Sequence, residues 1–310
     1  MKRKMLGNIL LALAALIWGT SFVAQSESVG LVEPFTFNGA RMLIGSVCIL
    51  PVALLSSRTP KNQSDGPAGH RKPNKTVLVG GALCGLVIFV AANLQQFGIE
   101  NGTTAGKSGF ITALYVVMVP VVSIFLNKKP PKTIWIGIVL AVAGLYLLCV
   151  KTGEQTAVCF GDVITLFCAM AFTGHILVID YFSPNVNGVW LSCIQFFVGG
   201  LLSAACMFIF ERPSIDSILS AALPILYSGV MSSGVAYTLQ IVGQKYTEPT
   251  TASLIMCMES VFAVLSGWVI LGDALGLREI IGCVLMFSAI LLAQIPGEKF
   301  GSKKSKNQLL

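Results

Sequence analysis

Three observations predict that this 310-residue sequence is an all-α membrane protein, with ten transmembrane helices arranged as two inverted five-helix repeats. The first is composition. Hydrophobic residues make up 55% and charged residues only 11%, with a mean hydropathy of +0.79. Apolar runs of roughly 17 to 25 residues recur from end to end, each long enough to cross a hydrocarbon core of about 30 Å. The second is repetition: the stretches from Gly7 to Leu148 and from Gly161 to Ala293 read as two copies of one pattern, each with five such runs. The third is parity, since an odd number of crossings makes the second copy enter from the opposite face. Inverted repeats are the recurring architecture of secondary transporters, whose substrate site lies between the halves near the midplane. The expected division is residues 1–150 and 151–310, the second half ending in a short basic tail.

The spans are read at residues 6–26, 35–56, 77–97, 104–126, 133–150, 160–180, 188–210, 217–242, 249–271 and 277–296. The first is retained rather than cleaved as a signal peptide: its apolar stretch exceeds an ordinary signal core, it carries the bulky Trp18, and it belongs to the repeat. The second carries Arg41 near its outer end, where a long cationic side chain anchors by reaching the interface. Between Ser57 and Thr76 lies one long polar loop, whose Pro, Gly and Asn content gives it nothing to pack. The third span has Gly80, Gly81 and Gly85 for close helix contact, then Asn93, Gln96 and Glu100 along one face at i, i+3 and i+7. Lys107 opens the fourth, one turn in. Gly137 and Gly144 mark the fifth, Phe172 and His175 the sixth, and Gly199 and Gly200 the seventh. The eighth carries Ser233, Tyr237, Gln240 and Gln244 at i, i+4, i+7 and i+11. Glu259 stands ten residues beyond Pro249 in the ninth, about 15 Å along a helix rising about 1.5 Å per residue, and so near the bilayer centre.

Charge sets the orientation. Sixteen of the 21 basic residues fall in segments that are cytoplasmic if the N-terminus is inside, which places both termini there by the positive-inside rule. The net charge of +7 is thereby explained without a nucleic-acid partner. The nine cysteines are singly placed and read as small packing residues; Cys149 and Cys159 flank one outer loop, a spacing that permits a disulfide.

The repeat extends to single residues. Gly7 set on Gly161 aligns the first and sixth spans and brings Arg41 onto Gln195, while Thr103 set on Thr250 brings Lys107 onto Leu254 and Thr112 onto Glu259. WGTSFV at Trp18, the Arg of FTFNGARMLIGS, NLQQFGIENGTTAGKSGFITALYVVMVP at Asn93 and MESVFAVLSGWVILGD at Met258 resemble EamA-type members of the drug/metabolite transporter superfamily. The resemblance covers residues 6–296 and implies a ten-helix carrier of small organic metabolites in a prokaryotic plasma membrane. Glu259-Ser260 replaces the family's frequent Glu-Pro, which removes an expected kink from the ninth span.

A charge near the bilayer centre costs roughly 2.5 to 3.5 kcal/mol on insertion scales, so intramembrane polar residues face a cavity, find partners or reach an interface. Glu259 reads as a ligand for a substrate amine, a proton carrier or a structural hydrogen-bonding group. Lys107 reads as its partner across a shared cavity, with reaching the interface as the alternative. Asn93, Gln96, Tyr237 and Gln240 are expected to line that cavity, with Trp18 and Ser21 of the first span and Phe172 and His175 of the sixth supplying aromatic and polar walls. The string NGTTAGKS departs from a phosphate-binding loop at its first glycine and joins two membrane helices, so it is not read as a nucleotide site. With two histidines and no catalytic, cofactor or metal motif, an enzyme is disfavoured, and a channel is disfavoured by the duplication. One acid, one lysine, amides and aromatics suit a small polar or zwitterionic metabolite, such as an amino acid; proton coupling and oligomeric state stay open.

Overall fold

The computed structural model describes residues 2–57, 74–128, 130–150, 158–266, 268–269 and 276–294, and all regular structure among them is helical. The first half consists of α1 (Lys2–Ser28), α2 (Pro34–Ser56), α3 (Lys75–Glu100), a fourth span broken into α4 (Ala105–Ala113) and α5 (Tyr115–Phe125), and α6 (Lys132–Cys149). The second half consists of α7 (Phe160–Phe182), α8 (Gly188–Phe210), a composite eighth span, a broken ninth span and α14 (Leu277–Gln294). The eighth span runs through α9 (Ile215–Ser220), α10 (Ala222–Tyr227), a π-helical stretch Ser228–Ala236 and α11 (Tyr237–Gln244); the ninth is α12 (Pro249–Met256) followed by α13 (Met258–Ser266). Nine helices among the described residues are long and apolar enough to cross a membrane, and α14 is the tenth helical span. Most of the loop between Ser57 and Thr76, the end of the ninth span and the basic tail lie outside the described residues.

The surface is apolar, and the interior combines a hydrophobic core with enclosed polar side chains, unlike a water-soluble bundle. Leu83, Val139, Phe167, Phe197, Phe208 and Leu291 face outward, while Gln96, His175, Gln195 and Ser233 are fully enclosed. Lipid makes the first arrangement favourable, and interhelical hydrogen bonds make the second tolerable.

The main helix contacts are preserved when each span is exchanged for its counterpart in the other half. The first span packs on the eighth and ninth as the sixth packs on the third and fourth; the third packs on the seventh as the eighth packs on the second. The second meets the seventh, the fourth meets the ninth and the fifth meets the tenth, each its own counterpart. A pseudo-two-fold axis relating the halves explains this pattern, and five crossings per half make the repeats inverted.

Both spans at the centre of this axis are interrupted. Leu114 and Cys257 leave ideal helical geometry, with ψ of −10° and −13°, and the chain resumes through three-residue hydrogen bonds, Val117 N–H to Leu114 O at 2.9 Å and Ser260 N–H to Cys257 O at 3.2 Å. The breaks touch: Cys257 Sγ donates to Ala113 O at 3.8 Å. Loss of the Glu-Pro proline therefore does not straighten the ninth span, because the break lies before Ser260 and is held by the opposing break. No disulfide joins Cys149 to Cys159, and Cys159 instead contacts Thr103 at 3.7 Å.

Glycine sets the spacing of the fifth and tenth spans. A Cβ on Gly144 would lie 2.9 Å from Gly282 O, and one on Gly282 would lie 3.1 Å from Gly144 O, so each backbone occupies the space of the other's missing side chain. Gly144→Val is expected to destabilise the protein by about 1–3 kcal/mol through overpacking, read as a lower unfolding midpoint in detergent. An unchanged midpoint would contradict this contact.

Candidate functional site

A cavity lies at the junction of the halves, lined from the first, second, third and fourth spans and from the sixth, eighth and ninth. Its geometry follows from the interruptions. Thr112 and Tyr115 straddle the break of the fourth span, and Met256 and Glu259 straddle that of the ninth, so each broken helix presents one residue on either side of its break. Tyr115, three residues beyond the Thr112 that the repeat alignment sets on Glu259, is the residue of the fourth span that neighbours Glu259.

The π-helical segment acts similarly in the eighth span. A π-helix repeats at i, i+5, which brings Ser232 rather than Ser233 onto the face shared with Tyr237; Ser233 is enclosed by helix packing. Gln240 follows on the same face. Tyr237 is held by three edge-on ring contacts, to Trp18 at 4.7 Å, Phe196 at 5.2 Å and His175 at 5.9 Å between centroids.

The first-half wall is a chain of amides. Gln25 Nε2 donates to Gln96 Oε1 at 3.1 Å and reaches Gln95 Oε1 at 3.5 Å, and Gln95 Nε2 donates to Thr112 Oγ1 at 3.2 Å. Arg41 enters from the second span. Its Nε donates to Asn38 Oδ1 at 2.8 Å and its guanidinium lies 5.5 Å from the centroid of Phe37. Glu259 is 8% exposed and has Tyr115 as its hydrogen-bonding neighbour. Two polar atoms of lining residues, Trp18 Nε1 and Gln240 Oε1, are enclosed without a hydrogen-bond partner among the described residues. Such groups are few in folded proteins and favour an incoming polar group.

Of the residues expected at the site, Trp18, Ser21, Tyr237, Gln240 and Glu259 line this cavity, as does Phe172. Four others stand elsewhere. His175 lies behind Tyr237, fully enclosed, its Nε2 paired with Gln195 Oε1 at 3.1 Å. Gln96 sits behind Gln25, and Asn93 bridges helices, accepting from Asn38 Nδ2 and donating to Ser203 Oγ, each at 3.1 Å. Lys107 does not face Glu259: its Nζ is 2.6 Å from Asp162 Oδ2 at the start of α7. A lysine one turn into α4 meets the first turn of α7 because those spans pack together, and Asp162 also accepts from Thr103 Oγ1 at 2.9 Å and Cys159 N–H at 3.1 Å. Lys128 and Asp180 form a second ion pair between the same two spans at their other end.

Gln25, Arg41, Gln95 and Tyr115 were missed as lining residues. Gln95 adjoins Gln96, about 100° round the helix, and the polar stripe through Asn93 and Gln96 follows the packed face instead. Arg41, read as an interfacial anchor, is only 6% exposed. It lies seven residues beyond Pro34, about 10 Å into the span, and its head group turns inward because the cavity reaches it.

Ten helical spans in two pseudo-symmetric halves around a central cavity of mixed polar and apolar lining define a multi-pass membrane protein built as inverted-repeat carriers are. The sequence pattern of the EamA-like transporter family matches residues 5–150 and 159–294. The chain belongs to that family and is a membrane transporter. It is similar to an uncharacterized transporter of Archaeoglobus fulgidus, 29% identical over 294 residues that cover 94% of this chain and 87% of the relative. The uncharacterized inner membrane transporter YedA of Escherichia coli K12 is 24% identical over 293 residues, covering 93% and 90%. A protein of known crystal structure superposes with a TM-score of 0.78 at 19% identity, covering 96% of this chain and 99% of that one, and shares the fold.

Proposed function

We propose that this protein is a secondary transporter that carries a small polar or zwitterionic metabolite, such as an amino acid, across the plasma membrane of a prokaryote by alternating access. The observation that carries the reading is the central cavity, whose walls come from both halves and include polar groups without partners among the described residues. Alternating access needs a site shared by two bodies that rock about it. Residues 1–150 and 151–310 are those bodies, with both termini cytoplasmic and Trp18, Ser21, Tyr237, Gln240 and Glu259 as substrate contacts. A rim of aromatic rings around amides and one carboxylate suits an organic solute better than an inorganic ion.

Flux through the purified protein in liposomes tests this directly. Uptake should saturate with concentration, and unlabelled substrate inside should accelerate entry of labelled substrate. A channel would show neither. Candidate substrates come from a thermal-shift screen of metabolites, because a ligand that binds only the folded state raises the unfolding midpoint by mass action.

A further inference from the structure

We propose that Arg41 is the anion-binding pole of the central cavity, receiving the carboxylate of a substrate whose amino group meets Glu259. This rests on the reading of the cavity as a substrate site.

Arg41 combines burial, orientation and an unmatched charge. Asn38 and the Phe37 ring fix the guanidinium at Nε and at its face. Asn38 is itself fixed by Asn93, and Asn93 by Ser203, so one hydrogen-bond chain through α2, α3 and α8 sets the aim of the arginine. Asn93 is thus a positioning residue. The terminal guanidinium nitrogens retain donors in a planar fork, a shape that matches a carboxylate in two parallel hydrogen bonds. Among the described residues the ion pairs are Lys107 with Asp162 and Lys128 with Asp180, and no carboxylate lies within ion-pair distance of Arg41. A buried cation of this kind is costly in a membrane span and marks a substrate or ion path.

Glu259 mirrors it. It comes from the other half, lines the same cavity and has no cationic partner among the described residues. Tyr237 lies within electrostatic reach of both groups. Two opposite, separately held charges on two moving halves favour a molecule that carries both charges over one that carries either alone. They also connect the halves only when such a molecule is present.

The test uses full-length protein in liposomes preloaded with the same solutes unlabelled, with entry of isotope-labelled external solutes followed by mass spectrometry. One external mixture holds the twenty common amino acids together with 3-methylbutylamine and 4-methylpentanoate, which are leucine without its carboxylate and without its amino group. A second is a polar extract of bacterial cells. The expected result is saturable entry of one or more amino acids in preference to the singly charged analogues. Arg41→Gln should raise the half-saturation concentration of the best amino acid by roughly 10- to 150-fold, the range for a hydrogen bond to a charged group. Arg41→Lys, which keeps the charge but loses the fork, should raise it by less. Unfolding midpoints check that both variants fold; should the Gln variant fail, the Lys variant decides alone. Unchanged half-saturation in a folded variant overturns the proposal. So does wild-type transport confined to solutes without a carboxylate, although the transporter reading would then stand. Saturable entry of nothing from either mixture removes both.

Discussion

Glu259→Gln is expected to cut transport efficiency by one to two orders of magnitude while leaving the protein at least as stable as the wild type. The carboxylate is buried near the middle of the ninth span with Tyr115 beside it and no cation within ion-pair distance among the described residues. Holding an unpaired charge there costs stability. The glutamine amide has nearly the same shape, keeps an acceptor for Tyr115 and removes the charge. A structural role would give the opposite result, a lower unfolding midpoint with transport falling only as protein is lost. A hydrogen bond to a charged group contributes roughly 1.5–3 kcal/mol, and that is the loss expected in the transport rate at low substrate. Parallel measurement of kcat/KM in liposomes and of the unfolding midpoint separates the two roles.

Lys107→Met should behave in the reverse way. Its ion pair with Asp162 is largely enclosed, the side chains 17% and 8% exposed, and it ties the start of α4 to the start of α7 across the two halves. Breaking a buried pair from one side typically costs 3–5 kcal/mol, because the remaining charge is left without a partner. About 2–4 kcal/mol is expected here, since Asp162 keeps its bonds from Thr103 and Cys159. Substrate half-saturation should not change in the fraction that folds. The double variant Lys107→Met with Asp162→Asn should regain much of the midpoint. Weaker substrate binding in stable Lys107→Met protein would return the lysine to the cavity.

The contrast between these two residues shows what the sequence could reveal. Length and hydropathy place spans well, because the bilayer fixes both, and the positions read for α2, α7 and α8 agree with the helices to within two residues. The repeat, too, is legible, and with it the residues that lie deep in spans bordering the axis, Trp18, Tyr237 and Glu259. Which face of a polar stripe meets the cavity is not. Gln95 and Gln96 are chemically identical neighbours, yet one lines the cavity while the other is covered by Gln25. Only the packing of the third span decides between them. Lys107 and Arg41 stand in positions other than expected for a related reason: intramembrane cost demands a partner or a cavity for each cation, but only the fold supplies Asp162 to one and the cavity to the other. The breaks at Leu114 and Cys257 carry no proline, so nothing local announced them.

The measurement closest to the central claim is accessibility of the cavity from the two sides of the membrane. Ser21→Cys and Gln240→Cys, each made separately on a cysteine-free background, place a thiol on the first and eighth spans facing the cavity. A membrane-impermeant thiol reagent should label each from either side in turn, substrate should protect both, and a lock holding one state should abolish labelling from one side only. Cysteines at the lipid-facing Val139 and Phe208 should not respond to substrate. Labelling of Ser21→Cys and Gln240→Cys that is absent, or confined to one face whatever the substrate and the lock, would contradict a cavity shared by two rocking halves.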